Sequence, residues 1–255
     1  LTTVESFSRR AGRAPANVAV GLARLGRAPW FWTRVGADPF GDFLAVTLSE
    51  NGIPDRFVER DPTARTTLAF VTHDGSGDRS FTFYRDGTAD TRLEAGVVSD
   101  DTLAAVEWVA IGGVALSAEP ARTATVDLIE RANTQGCGVL FDPNARPELW
   151  DRFNLGETLE TILPMVDVVK ASVEDLAAAG FDMASPSALA EAECAAGPHT
   201  TFLTLGDDGA LARTTGAGPW PRETVIHNGF EVEVVDTTGA GDGFAAGVLT
   251  ALIDG

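Results

Sequence analysis

Lysine is nearly absent from this chain of 255 residues: of its 19 basic residues, only Lys170 is a lysine. Acidic residues number 37, which gives a formal net charge of −18. A surface of this sign repels nucleic acid and anionic membranes, so we expect neither as a partner. Scarce lysine beside many carboxylates is typical of a halophilic-type acidic surface, on which salt screens the repulsion between like charges.

Cysteine, histidine and long apolar runs are also scarce. Cys137 and Cys194 lie in apolar surroundings, and a chain of this length needs no disulfides, so we expect buried thiols in a reducing, cytoplasmic compartment. The three histidines have no metal-site or triad spacing. No apolar run approaches the ~18 residues that span a bilayer, and no basic and apolar leader opens the chain. These shortages argue against a membrane segment and a disulfide framework.

The order of predicted elements indicates an α/β fold. Strand-like runs alternate with helical stretches in the second half of the chain, at 106–111, 138–141, 166–169 and 201–205. This alternation predicts a doubly wound, mainly parallel sheet with helices on both faces. A further β stretch is expected over 210–235, including a strand at 230–235, before a closing helix that covers 244–253.

The first third of the chain has a different pattern. Helices are predicted at 15–25 and 40–48, with a strand at 29–35 between them. Short strand-like runs follow at 55–59, 67–72 and 80–84, with a turn at 75–78. We expect them to form a small β-sheet lid, with strands within about 4–11 and 55–85, that excludes water from a site below it.

The most specific motif is residues 236–243, Asp-Thr-Thr-Gly-Ala-Gly-Asp-Gly, between the strand predicted at 230–235 and the closing helix. A glycine-rich turn before a helix lets backbone N–H groups approach an anion, and the helix dipole favours negative charge there. Asp242 at the mouth of this turn is suited to removing a proton from a hydroxyl. The motif therefore predicts phosphoryl transfer to an alcohol; the alternative is a capped helix without a ligand.

Together with other segments, this motif resembles the ribokinase-like (PfkB) carbohydrate kinases, over nearly the whole chain. Residues 12–19, Gly-Arg-Ala-Pro-Ala-Asn-Val-Ala, are similar to the first motif of that family. Residues 35–41 follow at the expected distance, and 204–210 are similar to the segment that holds nucleotide phosphates. The segments that look most like the fructokinase branch are 81–85, 141–146 and 169–175.

The resemblance implies roles for individual residues. Asp242 is the expected catalytic base, and Gly239, Ala240 and Gly241 are the expected backbone donors to the phosphoryl group. Substrate contacts are expected from Gly12, Asn17, Asp236, Arg85 and Arg13. Nucleotide or phosphate contacts are expected from Asn144, Arg146, Lys170, Gly206 and Gly209, where Arg146 and Lys170 supply positive charge. Asp175 is expected to bind Mg²⁺ through water.

These roles predict an ATP- and Mg²⁺-dependent kinase that phosphorylates a primary hydroxyl of a ketose, with fructose favoured. The family also implies a monovalent-cation site such as K⁺ near Asp236, and a homodimer through the lid. One alternative is a 2-keto-3-deoxygluconate kinase, in which Arg13 or Arg85 meets the substrate carboxylate. An alternative of another class is a non-catalytic binding or regulatory module. A dehydrogenase is disfavoured because its glycine motif belongs to the first βα unit.

The chain departs from the family pattern in three respects. Arg13 replaces the second glycine of the first motif, and Ser172 and Asp175 replace an Asn-x-x-Glu pattern. The chain also lacks the family's first strand, whose Asp contacts the sugar, and it ends at Gly255, before the elements that enclose adenine. We therefore expect a single domain, 1–255, without those terminal elements.

Overall fold

A computed structural model describes residues 6–73, 79–150, 152–181 and 185–255. The helices are α1 (Ala14–Arg24), α2 (Pro39–Glu50), α3 (Asp100–Leu103), α4 (Ala121–Gln135), α5 (Leu155–Ile162), α6 (Val173–Ala178), α7 (Pro186–Ala195) and α8 (Ala240–Asp254). The strands are β1 (Thr33–Gly36), β2 (Val58–Asp61), β3 (Leu68–His73), β4 (Arg79–Tyr84), β5 (Trp108–Gly112), β6 (Gly138–Asp142), β7 (Val168–Ser172), β8 (Thr200–Thr204), β9 (Ala210–Thr214) and β10 (Thr224–His227).

A six-stranded sheet forms the centre of the molecule, in the order β10-β9-β8-β7-β6-β5. Neighbours from β5 to β8 are parallel, whereas β9 and β10 are added antiparallel at one edge. The predicted fold class, a mainly parallel sheet flanked by helices, is confirmed. Because β5 to β8 are parallel, their carboxyl ends meet at one edge, where ligands of such sheets bind.

Alternation along the strands divides the core between two faces of the sheet. Phe141 and Val169 pack with residues of α4 and α5 on one face. Leu140 and Val168, the preceding positions, pack with α1 and α8 on the other. All four are almost completely buried, as expected for parallel strands covered by helices on both sides.

The lid is smaller than the sequence predicts. β3 and β4 form an antiparallel pair, but β2 pairs in parallel with β1 instead of joining them. Residues 6–11 form no strand, which corrects the prediction for 4–11; the segment contacts the lid through the edge-on rings of Phe7 and Phe70, 5.0 Å apart, rather than through a backbone ladder. Residues 4 and 5 and the turn predicted at 75–78 lie outside the described residues.

The strand predicted at 230–235 is also wrong. This segment has no regular structure, and its apolar side chains point into solvent, with Phe230 84% and Val235 94% exposed. The alternating pattern is typical of a strand, but a strand requires a neighbour, and in the described part of the chain this segment pairs with none. Of the β stretch predicted over 210–235, β9 and β10 form.

Cys137 and Cys194 are free and buried, which confirms the expectation for both thiols. Across the described residues, every helix is too short or too polar to cross a bilayer.

Candidate active site

The glycine-rich turn before α8 has the geometry of an anion-binding site. Gly239 is the N-cap of the helix and has φ of 82°, a left-handed conformation that favours glycine. The first bond within the helix runs from the N–H of Gly243 to the carbonyl of Gly239, at 2.8 Å. The N–H groups of Gly241 and Asp242 therefore have no carbonyl partner within the helix.

Ala240 does not join this set. Its N–H donates to the carbonyl of Thr237 at 3.2 Å, so the expectation that it supplies a donor to the phosphoryl group needs correction. This hydrogen bond closes the turn. The helical N–H groups available to an anion are therefore those of Gly241 and Asp242.

Asp242 faces the first turn of α1. The side-chain amide of Asn17 donates to Oδ2 of Asp242 at 2.7 Å, although 225 positions separate them in sequence. The two helices pack closely because α1 has glycine at position 21, where a methyl group would lie 2.8 Å from Cβ of Ala246. Asn17 lies one turn before Gly21 on α1, and Asp242 lies one turn before Ala246 on α8. The close packing of the two helices therefore brings Asn17 and Asp242 together.

Lys170 and Asp142 form a buried ion pair beneath the same turn. Both side chains lie on the same face of the sheet because β6 and β7 are neighbouring strands. Nζ of Lys170 lies 3.2 Å from Oδ2 of Asp142. A methyl group on Gly241 would lie 3.1 Å from that Nζ, so the ammonium lies directly against the start of α8. Lys170 is thus close to the free N–H groups, where positive charge favours an anion.

The carboxyl group of Asp142 is electrostatically unusual. Burial raises its pKa to about 6; Lys170 opposes this shift, and the carboxylates of Asp175 and Asp242 add to it. Three carboxylates and one ammonium therefore share this end of the sheet.

Asp175 has a structural role that the sequence did not predict. Its Oδ1 accepts the N–H of Ala145 at 2.6 Å, and its Oδ2 accepts the N–H of Ser172 at 3.0 Å. Ser172 in turn accepts the N–H of Asp175, which completes a capping box at the start of α6. Both carboxylate oxygens thus hold the backbone, and among the described residues no group of three acidic, histidine or cysteine side chains could hold a metal ion.

Arg13 and Arg85 share the carboxylate of Asp90. The distances to its Oδ2 are 2.6 Å from Nη1 of Arg13 and 2.8 Å from Nε of Arg85. Burial favours a raised pKa for Asp90, but the charges of the two arginines outweigh burial and lower it well below its usual range. Arg85 is buried and also donates to Ser117 and Val114, so it does not face a substrate as the sequence suggested.

Arg13 is the more exposed of the two cations in this cluster. Its side chain is one third exposed, but its Nη2 is buried and has no hydrogen-bond partner within the described residues. Its φ of 125° is in a region that L side chains rarely adopt, as expected where an arginine occupies a glycine position. The cluster has one carboxylate for two guanidinium groups and therefore a net positive charge.

The remaining predicted residues have varied surroundings. Gly12 is exposed with open space around it, and Asp236 accepts the N–H of Thr238 at 2.8 Å within the turn. Gly206, also in open space, and Gly209 both have positive φ in the turn between β8 and β9. Gly209 is required there by the backbone of His227 and Asn228, which passes too close for a side chain.

Asn144 and Arg146 follow the carboxyl end of β6. Asn144 has φ of 38° and donates its N–H to Oδ1 of Asp142 at 3.2 Å. The guanidinium of Arg146 donates to the carbonyl of Ala145 at 2.6 Å and is partly exposed. Both residues therefore lie on the edge where β6 and β7 end.

Sequence reasoning missed Asp142 and Asp90 as members of the site. Asp142 had a usable signal, because it ends the strand next to the one that carries the only lysine. Asp90 had none, since no local pattern predicts which carboxylate two distant arginines will share.

A family model described as pfkB family carbohydrate kinase matches residues 1–255. The chain is 37% identical over 243 residues to a fructokinase from Klebsiella pneumoniae, a match that covers 94% of this chain and 76% of the relative. With a fructokinase from Salmonella typhimurium it is 38% identical over 244 residues, again with 94% and 76% covered.

A solved structure of a Xylella fastidiosa fructokinase with bound ATP superposes with a TM-score of 0.86 at 32% identity, covering 98% of this chain and 79% of that one. A Vibrio cholerae fructokinase in a form with bound fructose, ADP and calcium ion gives a TM-score of 0.85 at 34% identity, covering 97% and 78%. The chain therefore spans about three quarters of these relatives.

Proposed function

Because the chain belongs to the pfkB family of carbohydrate kinases, we propose that it transfers the γ-phosphoryl group of ATP to a primary hydroxyl of a ketose, with fructose as the favoured acceptor. The observation that carries this proposal is the position of Asp242, which is hydrogen-bonded to Asn17 at 2.7 Å beside the open N–H groups at the start of α8. The fructokinase names of the relatives support fructose as the acceptor.

In the proposed mechanism, Asp242 takes the proton of the sugar hydroxyl as that hydroxyl attacks the phosphoryl group. Asn17 donates to Asp242, which orients the carboxylate, and the amide also offers a contact to the sugar. The N–H groups of Gly241 and Asp242 stabilise negative charge on the phosphoryl oxygens, and Lys170 beneath them adds positive charge.

We propose Mg²⁺ as the ion that accompanies ATP. It would be held mainly by phosphate oxygens, because both oxygens of Asp175 already accept backbone N–H groups. Bound there, the ion would neutralise phosphate charge. We also propose a K⁺ site near Asp236. A cytoplasmic location is proposed as well, because free thiols persist in a reducing compartment.

Asp242→Asn tests the mechanism. The amide keeps the shape of the side chain but cannot accept the proton, so kcat for fructose should fall at least about a hundredfold while the KM values change little. Asp254→Asn, which changes an exposed carboxylate on the same helix, should leave both parameters unchanged. An Asp242→Asn enzyme as fast as the parent would exclude Asp242 as the base, and a parent that forms no ATP-dependent product would favour a non-catalytic module.

The net positive cluster at Arg13 favours a second candidate acceptor, a sugar acid such as 2-keto-3-deoxygluconate. A carboxylate could bind the partly exposed guanidinium of Arg13, whose buried Nη2 has no hydrogen-bond partner among the described residues. The test compares fructose, ketodeoxygluconate, ribose and adenosine as acceptors for the parent and Arg13→Gly. If the substrate is a sugar acid, kcat/KM for that acid should fall about tenfold or more in Arg13→Gly. If the substrate is fructose, kcat/KM for fructose should stay the same or rise in this variant.

We also propose a homodimer through the lid. The β3–β4 pair has apolar side chains on both faces: Phe70 contacts Tyr84 on one, and Phe81 stacks on Phe83 on the other. Val71 and Tyr84 are largely exposed, and an isolated two-stranded sheet is marginally stable, so a second copy would cover it. Sedimentation of the parent and Val71→Glu tests this: the parent should be dimeric and the variant monomeric.

A further inference from the structure

Among the described residues, Asp142 and Lys170 form the most deeply buried ion pair, with 6% of Asp142 and 4% of Lys170 exposed. An ammonium has three N–H donors. In the described part of the chain, Asp142 is the one acceptor that Nζ of Lys170 reaches, at 3.2 Å. Two donors of this ammonium are therefore available to a ligand.

The pair lies where phosphate would arrive. Nζ of Lys170 lies 3.1 Å from the point at which a methyl group on Gly241 would be. The N–H groups of Gly241 and Asp242 open onto the same space above it. An anion bound to these N–H groups would thus come close to the ammonium, and it would compete with Asp142 for it.

The charges around Asp142 decide how it responds to that competition. It faces Lys170 on β7, Asp175 on α6 and Asp242 on α8, so two of the three groups are negative. Burial is the main reason that its pKa is raised to about 6, and the negative charge that the phosphates keep beside Mg²⁺ would raise this pKa further. Asp142 is therefore poised to accept a proton when a polyphosphate binds.

We propose that Asp142 is a positioning residue that holds Lys170 beneath the turn, and that nucleotide binding moves the ammonium from this carboxylate to phosphate while Asp142 takes one proton from solvent. The inference rests on the proposed kinase function and extends it. The buried carboxylate would stay uncompensated after losing its cation, and protonation removes that cost. Nucleotide binding would thus be linked to proton uptake, and it would weaken as pH rises above about 6.

Titration calorimetry of the parent chain tests this linkage. The probe is an ATP analogue with an imido β,γ bridge at pH 7 in excess Mg²⁺, which keeps the phosphates ionised. Titrations in two buffers of different ionisation enthalpy give the protons taken up, and the parent should approach one per nucleotide. Asp142→Asn should bind the analogue with no such uptake, because an amide does not titrate in this range.

Lys170→Met and Asp101→Asn complete the experiment. Lys170→Met should bind the analogue about tenfold or more weakly, since a charge-assisted hydrogen bond to phosphate is lost. Asp101→Asn, an exposed position on α3, should match the parent in affinity and proton uptake. Thermal melting checks that each variant is folded; should Asp142→Asn not fold, the parent's proton uptake and the affinity of Lys170→Met decide.

Two results would overturn the proposal: equal proton uptake by the parent and Asp142→Asn, or equal affinity of the parent and Lys170→Met. A parent that binds nucleotide and phosphorylates sugar without taking up a proton would leave the kinase function intact and remove this inference alone. A parent that neither binds nucleotide nor forms product would remove both.

Discussion

Glu193 lies on α7 with no exposed surface, and neither of its carboxyl oxygens has a well-formed hydrogen bond to a described residue. Thr201 on β8 is near enough to lower its pKa slightly, but burial dominates and raises the pKa to about 8. The carboxyl group is therefore mostly protonated at neutral pH in the folded chain. In the unfolded chain it would be ionised, near its ordinary value of 4.5.

This difference gives Glu193 a defined effect on stability. The folded state holds the proton more tightly, so the contribution is fully present below pH 4.5 and is lost as pH rises through about 8. Between pH 5 and pH 8 the free energy of unfolding should fall by roughly 3–4 kcal/mol because of this group.

Denaturant unfolding of Glu193→Gln between pH 5 and pH 8 measures the effect. The glutamine does not titrate, so the variant should gain stability relative to the parent as pH rises. Glu191→Gln changes an exposed carboxylate on the same helix, and its free energy of unfolding should depend on pH in the same way as that of the parent. A constant difference between Glu193→Gln and the parent would show that Glu193 is ionised throughout.

At the scale of elements, the crossing of α1 and α8 brings the reactive groups together. Each helix has an unambiguous sequence signal: Pro15 near the start of α1, and glycines before α8. The distance between the helices depends on Gly21, which has room for no side chain against Ala246. Neither helix alone places Asn17 beside Asp242.

Gly21→Ala should therefore damage the site through packing. The added methyl group would push α1 from α8, and a shift of about 1 Å in such a pair can lower kcat about a hundredfold. The overpacking, about 1–3 kcal/mol, should outweigh the higher helix propensity of alanine, about 1 kcal/mol.

Gly247→Ala is the matched control on α8, since a methyl group there meets no atom within 4 Å. It should keep the parent's kcat and raise stability by about 0.5–1 kcal/mol. Steady-state kinetics and thermal melting of both variants separate the two effects. Full activity in Gly21→Ala would mean that the helix spacing does not position Asn17 and Asp242.

At the scale of the whole molecule, the net charge of −18 dominates the electrostatics. Exposed ion pairs such as Arg131 with Asp100 are few beside the excess of carboxylates, and such pairs contribute little individually. Repulsion between carboxylates over the surface therefore opposes folding, and it weakens as salt shortens the screening length from about 10 Å at 0.1 M to about 3 Å at 1 M.

Thermal melting in KCl tests this balance. Tm should rise steeply between 0.1 M and 1 M KCl and flatten above that, because screening is then nearly complete. Sucrose, which stabilises by exclusion from the surface without screening charge, should not reproduce the steep rise. A Tm that is the same at 0.1 M and 1 M KCl would contradict the halophilic interpretation of the acidic surface.

The sequence by itself determined the fold class, most strands of the central sheet and the turn at 239–241, because these depend on local periodicity and on glycine. It also identified Lys170 and Asp242 as unusual from residue type and position. It failed at residues 230–235, where strand-like alternation has no neighbouring strand in the described part of the chain, and it did not show that both oxygens of Asp175 accept backbone N–H groups.

Only the tertiary structure decided which charged groups meet. Asn17 reaches Asp242 because two helices pack through a glycine, and Asp142 reaches Lys170 because two strands are neighbours. Arg85 was expected to contact the substrate, but in the folded chain it is buried and forms an ion pair with Asp90. Local pattern fixes what each segment is, whereas the partners of a charged side chain depend on packing between segments far apart in the chain.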